Sequence, residues 1–269
     1  MSLAVFVNTS DGFADCWAPF FTLFARYAPQ LSKLPIYLNT ERTQFDCPPL
    51  DIRSTRVWPL DELVRPTWSQ CLQRGLEAVA EPYILFLLED YFLDTPVRED
   101  VVFAALDAVQ STEADVVYLN AQGPRYTKHR PLTGSFLDII PPARYLVNTQ
   151  AAIWDRQFLL SLIREWENAW MFEIFASMRA RSLRGKFAAV APEILTQSPV
   201  FEHIHTGVAR GKWQVECVPL FEREGISMDF TRRGFYQRGS RMQFRLEVLA
   251  KLIDKPVPFL QSLLSVVRS

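Results

Sequence analysis

The chain has 269 residues, enough for one large α/β domain or for one domain with an appendage. Hydrophobic residues at 49% and charged residues at 22% exclude a chain that is largely disordered. A formal net charge of −1 excludes a nucleic-acid-binding protein unless its basic face is local.

Short apolar runs alternate with longer helical patterns along the first half. Leu3–Val7 reads as a strand opening into the polar turn Asn8-Thr9-Ser10-Asp11-Gly12. A helix is predicted over Asp15–Tyr27, where Trp17, Phe20, Phe21 and Phe24 recur at helical spacing. Ile36–Leu38 is a second strand ending in Asn39-Thr40-Glu41, and Thr67–Ala80 is a second helix. Tyr83–Leu88 is wholly apolar, the pattern of a strand buried on both faces of a parallel sheet. Thr95 as N-cap with Pro96 at the first helical position predicts a third helix reaching about Gln110, and Val116–Leu119 a further strand. Pro124–Pro142 reads as a loop or hairpin excursion, while Asp155–Ile163 and Glu165–Arg181 read as helices. This β-α-β order predicts an α/β fold with a mainly parallel, doubly wound sheet flanked by helices.

In such sheets ligands bind at the carboxyl ends of the strands, near the point where the strand order reverses. Three strand ends are polar: Asn8–Asp11, Asn39–Glu41 and Glu89-Asp90. Oxygen-rich side chains there suit a ribose and, through Mn²⁺ or Mg²⁺, a diphosphate. The first strand is not followed by GxGxxG, and no GxxxxGK[ST] loop occurs, so neither a dinucleotide fold nor a P-loop is indicated. Glu89 and Asp90 leave a buried strand just before the predicted cap at Asp94 and Thr95, which leaves them without a capping role.

The stretches VNTSDGFADCWAPFF, PIYLNTE, PYILFLLEDYFL, NTQAAIWDRQFLLSL, NAWMFE and GVARGKW, in this order over roughly residues 3–215, resemble bacterial GT-A glycosyltransferases related to the family-2 group. The resemblance implies a GT-A-type, Rossmann-like fold and transfer of a sugar from a nucleotide-sugar donor. Thr9, Asp11 and Glu41 would then contact the nucleotide, and Glu89 and Asp90 the donor sugar or a metal ion. Glu89-Asp90-Tyr91 stands where the family has DxD and departs from its strict form. Lys212 would contact phosphate and Glu173 would be the catalytic base. A histidine late in the chain completes the metal site in some members, which implies a metal pair of Asp90 and His205. His203 and His205 share one face if their segment is extended.

If 165–181 is helical, Glu173 shares a face with Ala169, Trp170, Ala176, Ser177 and Ala180, beside a greasier stripe of Met171, Ile174, Phe175 and Met178. Trp170 then offers an acceptor sugar a flat surface. The other reading of Glu173 is an ordinary ion pair with Arg179 or Arg181.

From Arg232 onward Arg232, Arg233, Arg238, Arg241, Arg245, Lys251 and Lys255 accompany Met242, Leu246, Leu249 and Ile253. The division expected is a transferase domain over 1–231 and a basic amphipathic helical segment over 232–269, with peripheral contact to an anionic membrane and a saccharide or lipid-linked acceptor. Cys16, Cys47, Cys71 and Cys217 form no CxxC pair and read as reduced thiols. The first residues lack a basic leader pattern, and no run approaches the roughly 18 apolar residues of a membrane span. A cytoplasmic protein is expected, placed at most peripherally at the inner face of the membrane. Two other classes compete: a sugar-phosphate nucleotidyltransferase, which needs a Gly-rich basic loop after the first strand where this chain has the acidic NTSDGFAD, and a non-catalytic α/β interaction protein.

Overall fold

The computed structural model describes residues 3–120, 123–204, 206–237 and 256–267. Its strands are β1 (Leu3–Asn8), β2 (Ile36–Asn39), β3 (Ile52–Ser54), β4 (Tyr83–Leu88), β5 (Val116–Tyr118), β6 (Arg125–Thr133), β7 (Phe136–Arg144), β8 (Ala152–Asp155), β9 (Phe187–Val190), β10 (Val208–Ala209) and β11 (Lys212–Trp213). The α-helices are α1 (Ala14–Tyr27), α2 (Trp68–Glu77), α3 (Glu99–Thr112), α4 (Arg156–Leu162), α5 (Ala169–Ser182), α6 (Pro192–Gln197), α7 (Cys217–Glu224) and α8 (Pro256–Val267).

Nine strands form one sheet in the order β3-β2-β1-β4-β8-β5-β9-β7-β6, and β10 and β11 make a separate hairpin. β1 pairs in parallel with β2 and β4, β2 with β3, and β5 with β9. β8 runs antiparallel between β4 and β5, and β7 runs antiparallel to β9 and β6. The sheet is thus mainly parallel, with β7 and β8 reversed. The expected α/β class stands.

The apolar runs are continuous because both sheet faces are covered. Leu3, Val5 and Val7 of β1 and Leu85 and Leu87 of β4 enter one core with Trp17, Phe20, Phe21 and Phe24 of α1 and Val102, Ala105 and Val109 of α3. Ala4, Phe6, Ile84 and Phe86 point the other way, against Leu72 and Leu76 of α2 and Phe172, Ala176 and Ala180 of α5. Period-two alternation therefore separates two apolar faces rather than an apolar face from a wet one.

α2 begins at a capping box in which the Thr67 hydroxyl accepts from the Gln70 N–H while the Gln70 side chain accepts from the Thr67 N–H. It lies so close to β2 that a Cβ at Gly75 would sit 2.1 Å from the Asn39 side-chain oxygen, so only glycine fits there.

Several boundaries differ from the sequence reading. α3 starts at Glu99, with Arg98 as its N-cap, and not at Pro96. The Asp94 N–H donates to Glu202 O at 2.9 Å and the Arg98 N–H to Val200 O at 3.1 Å, so pairing with another segment holds 94–98 out of the helix. Thr95 caps nothing; its hydroxyl donates to the Glu202 carboxylate. The hairpin option is the right one for 124–142, as β6 and β7 extend the sheet edge. α5 starts at Ala169, because the Asn168 side chain accepts from the Met171 N–H at 2.9 Å and caps it there.

Residues 230–236 pack against the β10–β11 hairpin: the Trp213 N–H donates to Gly234 O and the Tyr236 N–H to Trp213 O. The basic segment's Arg238, Arg241, Arg245, Lys251 and Lys255, with its apolar Met242, Leu246, Leu249 and Ile253, lie outside the described residues. No described helix is long and apolar enough to cross a membrane.

Candidate functional site

The strand order reverses beside β1, which is flanked by β2 on one side and β4 on the other. A cleft of about 380 Å³ opens there, at the carboxyl ends of β1 and β4, where a doubly wound sheet holds its ligands. Asn8, Thr9, Ser10 and Phe13 line it from the β1 side, and Leu88, Glu89, Asp90 and Tyr91 from the β4 side. Trp68, Thr149, Gln150, Thr206 and Val208 complete the wall.

Buried amides fix the strand exits. The Asn39 side chain donates to Asn8 Oδ1 at 2.9 Å and accepts from the Thr55 hydroxyl at 3.0 Å, so β1 and β2 end in register. The Thr9 hydroxyl accepts from the Trp17 indole N–H at 2.9 Å, which orients it at the cleft wall.

Glu89 and Asp90 are both buried, at 8% and 7% exposure, in adjacent positions. Burial pushes the Glu89 carboxyl well above the usual carboxylate range, and the neighbouring Asp90 charge pushes it further. Burial also raises Asp90, while N–H donors from Val208, from Asp90 itself and from Gly207 oppose the rise. The sequence reading gave these acids no structural work, and for Asp90 that is corrected. Its Oδ2 accepts from the Val208 N–H at 3.2 Å, and its carbonyl accepts from the Gly207 N–H at 3.1 Å. A Cβ at Gly207 would meet Phe92 at 2.2 Å, so glycine is required for this close approach.

Hard oxygen donors, buried and short of positive charge, suit a divalent cation. Arg233 is the one cation among the main influences that lower the Glu89 carboxyl. Its guanidinium clasps Asp15 at 2.5 and 2.6 Å, donates to Gly12 O and lies 4.9 Å from the Phe13 ring. Among the described residues no group of three or more His, Cys, Asp or Glu side chains is placed to hold a metal, and His205 lies outside them. The His203 ring stacks on Tyr91 at 4.5 Å between centroids.

Of the other sequence candidates, Thr9 lines the cleft, and Asp11, Glu41, Trp170, Glu173 and Lys212 do not. Asp11 commits its carboxylate to the chain itself, accepting from the N–H groups of Glu41, Arg42 and Thr43 and from the Thr43 hydroxyl at 2.9–3.1 Å. Glu41 pairs with Arg65 at 2.6 Å. Lys212 is exposed beside the Arg210-Gly211 turn between β10 and β11.

Glu173 is one residue removed from the cleft. Its Oε1 accepts from both the N–H and the hydroxyl of Thr149, each at 3.1 Å, and Thr149 is on the cleft wall. Burial raises its carboxyl above the usual range, with the two Thr149 bonds opposing. The ion-pair alternative fails. Arg179 is fully buried against Glu167, its two terminal nitrogens 2.8 and 2.6 Å from the carboxylate oxygens, and Arg181 donates to Ala143 O. The expected docking stripe holds at Met171 and Phe175, which are buried, and is corrected at Met178, which is exposed, while Phe172 and Ala176 are buried instead.

Sequence reasoning missed Trp68, Thr149, Gln150 and the Asp15–Arg233 clasp. Thr149 and Gln150 belong to the NTQAAIW stretch that the resemblance singles out, so a signal existed. Trp68 has none: it opens α2 directly after the cap and meets Phe172 of α5 at 5.5 Å between ring centroids.

No family model matches the chain, and no curated protein does. Among solved structures it is similar to S. aureus TarS 1–349, at 12% identity and a TM-score of 0.47 over 71% of this chain and 58% of that one. It thus spans less than two thirds of TarS 1–349. It is also similar to M. tuberculosis glucosyl-3-phosphoglycerate synthase, at 15% identity and a TM-score of 0.47 over 88% of each chain. A mycobacterial protein matches at 15% identity and a TM-score of 0.46, over 84% of this chain and 75% of that one. These identities are too low to carry a residue's role across.

Proposed function

We propose that the protein is a glycosyltransferase that binds a nucleotide-sugar donor in the cleft between the exits of β1 and β4. The observation that carries this reading is the pair of adjacent buried carboxylates, Glu89 and Asp90, facing that cleft at the reversal of strand order. Two ionised acids there would repel each other and an incoming diphosphate, and a divalent cation held by them would offset that charge. Glu89 and Asp90 are the proposed holders of Mn²⁺ or Mg²⁺, with His205 as a further ligand. The bound ion would supply positive charge where the diphosphate leaves.

Thr9 and Ser10 take the nucleotide side of the cleft. Asp11 and Glu41 shape it indirectly, by fixing the loop at 41–43 and Arg65. Lys212 is assigned to the donor phosphates from the exposed hairpin. On the acceptor side, Trp68 offers the cleft an aromatic face, and Trp170 remains the neighbouring candidate on α5. Glu173 is the proposed general base of an inverting transfer to a saccharide or lipid-linked hydroxyl, for surface polysaccharide or glycolipid synthesis. Its Oε1 is held by Thr149 of the cleft wall, and from there its carboxylate would take the acceptor proton.

The test is a panel of UDP-, GDP-, dTDP- and CMP-sugars offered with saccharide and lipid acceptors. Released nucleotide and product mass are followed together. One glycosylated product per nucleotide released, with inverted anomeric configuration, supports the reading. Pyrophosphate release from a nucleoside triphosphate and a sugar phosphate would replace it with nucleotidyl transfer.

A further inference from the structure

Helix α8 turns an apolar stripe to solvent. Its twelve residues, Pro256–Val267, include no charged side chain. The side against the domain mixes serine with apolar residues: the Trp166 indole N–H donates to Ser262 Oγ at 3.0 Å and Arg179 donates to Ser265 Oγ at 3.0 Å, while Pro258, Phe259 and Val266 are half-buried. Phe259 adds one ring contact to Phe175 of α5, at 5.2 Å. The opposite side is apolar and open. Val257, Leu260, Leu264 and Val267 are 62%, 57%, 55% and 80% exposed, at the i, i+3, i+7, i+10 spacing of one helix face. A surface helix ordinarily buries its apolar stripe and shows serine to water.

We propose that this face docks on an anionic lipid bilayer. A second copy of the chain is the competing occupant, and area argues against it. Twelve helical residues span about 18 Å, so a stripe about 10 Å wide covers roughly 200 Å². A stable pair needs about 800 Å² from each partner. A bilayer sets no such limit, since it accepts an apolar stripe of any length and adds charge attraction. The charge beside the stripe is of the right sign. Arg164 lines the hollow next to Leu264, which puts a positive charge at the edge of the stripe.

The test is sedimentation of the full chain with two kinds of vesicle, phosphatidylcholine alone and phosphatidylcholine mixed with phosphatidylglycerol. Wild type is expected to pellet with the mixed vesicles and to be released by salt. The double variant Leu260→Glu/Leu264→Glu should lower partitioning about tenfold or more, with an unchanged melting temperature because both positions face solvent. Leu260→Ala/Leu264→Ala should give an intermediate loss, and decides the matter if the acidic variant folds poorly. Equal pelleting of wild type and both variants overturns the proposal, as does absence of wild-type binding to the mixed vesicles. A dimer seen by light scattering and abolished by the same substitutions would assign the face to a second copy instead.

Discussion

Asp90 and Val208 are 118 residues apart in the chain and hydrogen-bonded at the cleft, the Val208 N–H donating to Asp90 Oδ2 at 3.2 Å. One side chain therefore holds the β10 segment against the end of β4 and also supplies charge to the candidate donor site. The two roles separate by substitution. Asp90→Asn keeps an oxygen that accepts from Val208, so stability should change by no more than about 1 kcal/mol while turnover falls about 10²-fold or more. Asp90→Ala leaves the Val208 N–H unpaired and should cost about 1–3 kcal/mol. Urea titrations of both variants, run beside donor turnover, check this.

Glu89 is expected to oppose folding at neutral pH. Its carboxyl is raised in the fold by burial and by the Asp90 charge, so between the unfolded and folded values the folded chain keeps a proton that the unfolded chain releases. The sign follows: stability falls as pH rises from the unfolded value, about 4.3, through the raised folded value, and the deficit is complete above it. Glu89→Gln should therefore melt higher than wild type at pH 8, by about 2–4 °C for each kcal/mol released in a domain of this size. The advantage should vanish near pH 4, and turnover should be lost at every pH. A lower melting temperature for Glu89→Gln at pH 8 would contradict the electrostatic description of the pair.

Glu173→Gln tests the base. The amide keeps a side-chain oxygen for Thr149 and removes the proton acceptor, so donor affinity should hold while kcat drops about 10²-fold or more. Burial raises the Glu173 carboxyl, so the acid limb of the wild-type kcat profile should lie above the ordinary carboxylate range, and the variant should lose that limb. A retained limb in the variant would assign the titration to another group.

The buried Arg179–Glu167 pair carries a stability prediction. Both side chains are fully buried, and the Leu162 carbonyl and the Ser265 hydroxyl accept the remaining guanidinium bonds. Glu167→Ala leaves a buried, unpaired cation and should destabilise by about 3–5 kcal/mol. Arg179→Met/Glu167→Leu should cost much less than the single change. A two-state denaturation series on the full chain reads both.

The strand pattern was legible because Leu3–Val7 of β1 and the whole of β4 are short apolar runs closed by polar residues, the pattern of strands buried on both faces. Glu89 and Asp90 were legible for the same reason, as the first acids beyond such a run. The start of α3 was not, because pairing of 94–98 with 200–202 overrides a good local cap at Thr95. Asp11 misled because one carboxylate in a strand-end turn suits a ligand or its own loop equally well, and only the fold shows that it grips 41–43. Glu173 stood out in the sequence only by its place on the predicted helix, and its link to Thr149 depends on the contact between α5 and the segment before β8, which no spacing encodes.

The most direct measurement is a thermal-shift titration of wild type, Asp90→Asn and Glu89→Gln with nucleoside diphosphates and their sugars, with and without Mn²⁺. A nucleotide that occupies the β1–β4 cleft through these carboxylates should raise the wild-type melting temperature in a Mn²⁺-dependent way, and neither variant should respond. No shift with any nucleotide, or the same shift in all three proteins, would contradict the assignment of this cleft as the donor site.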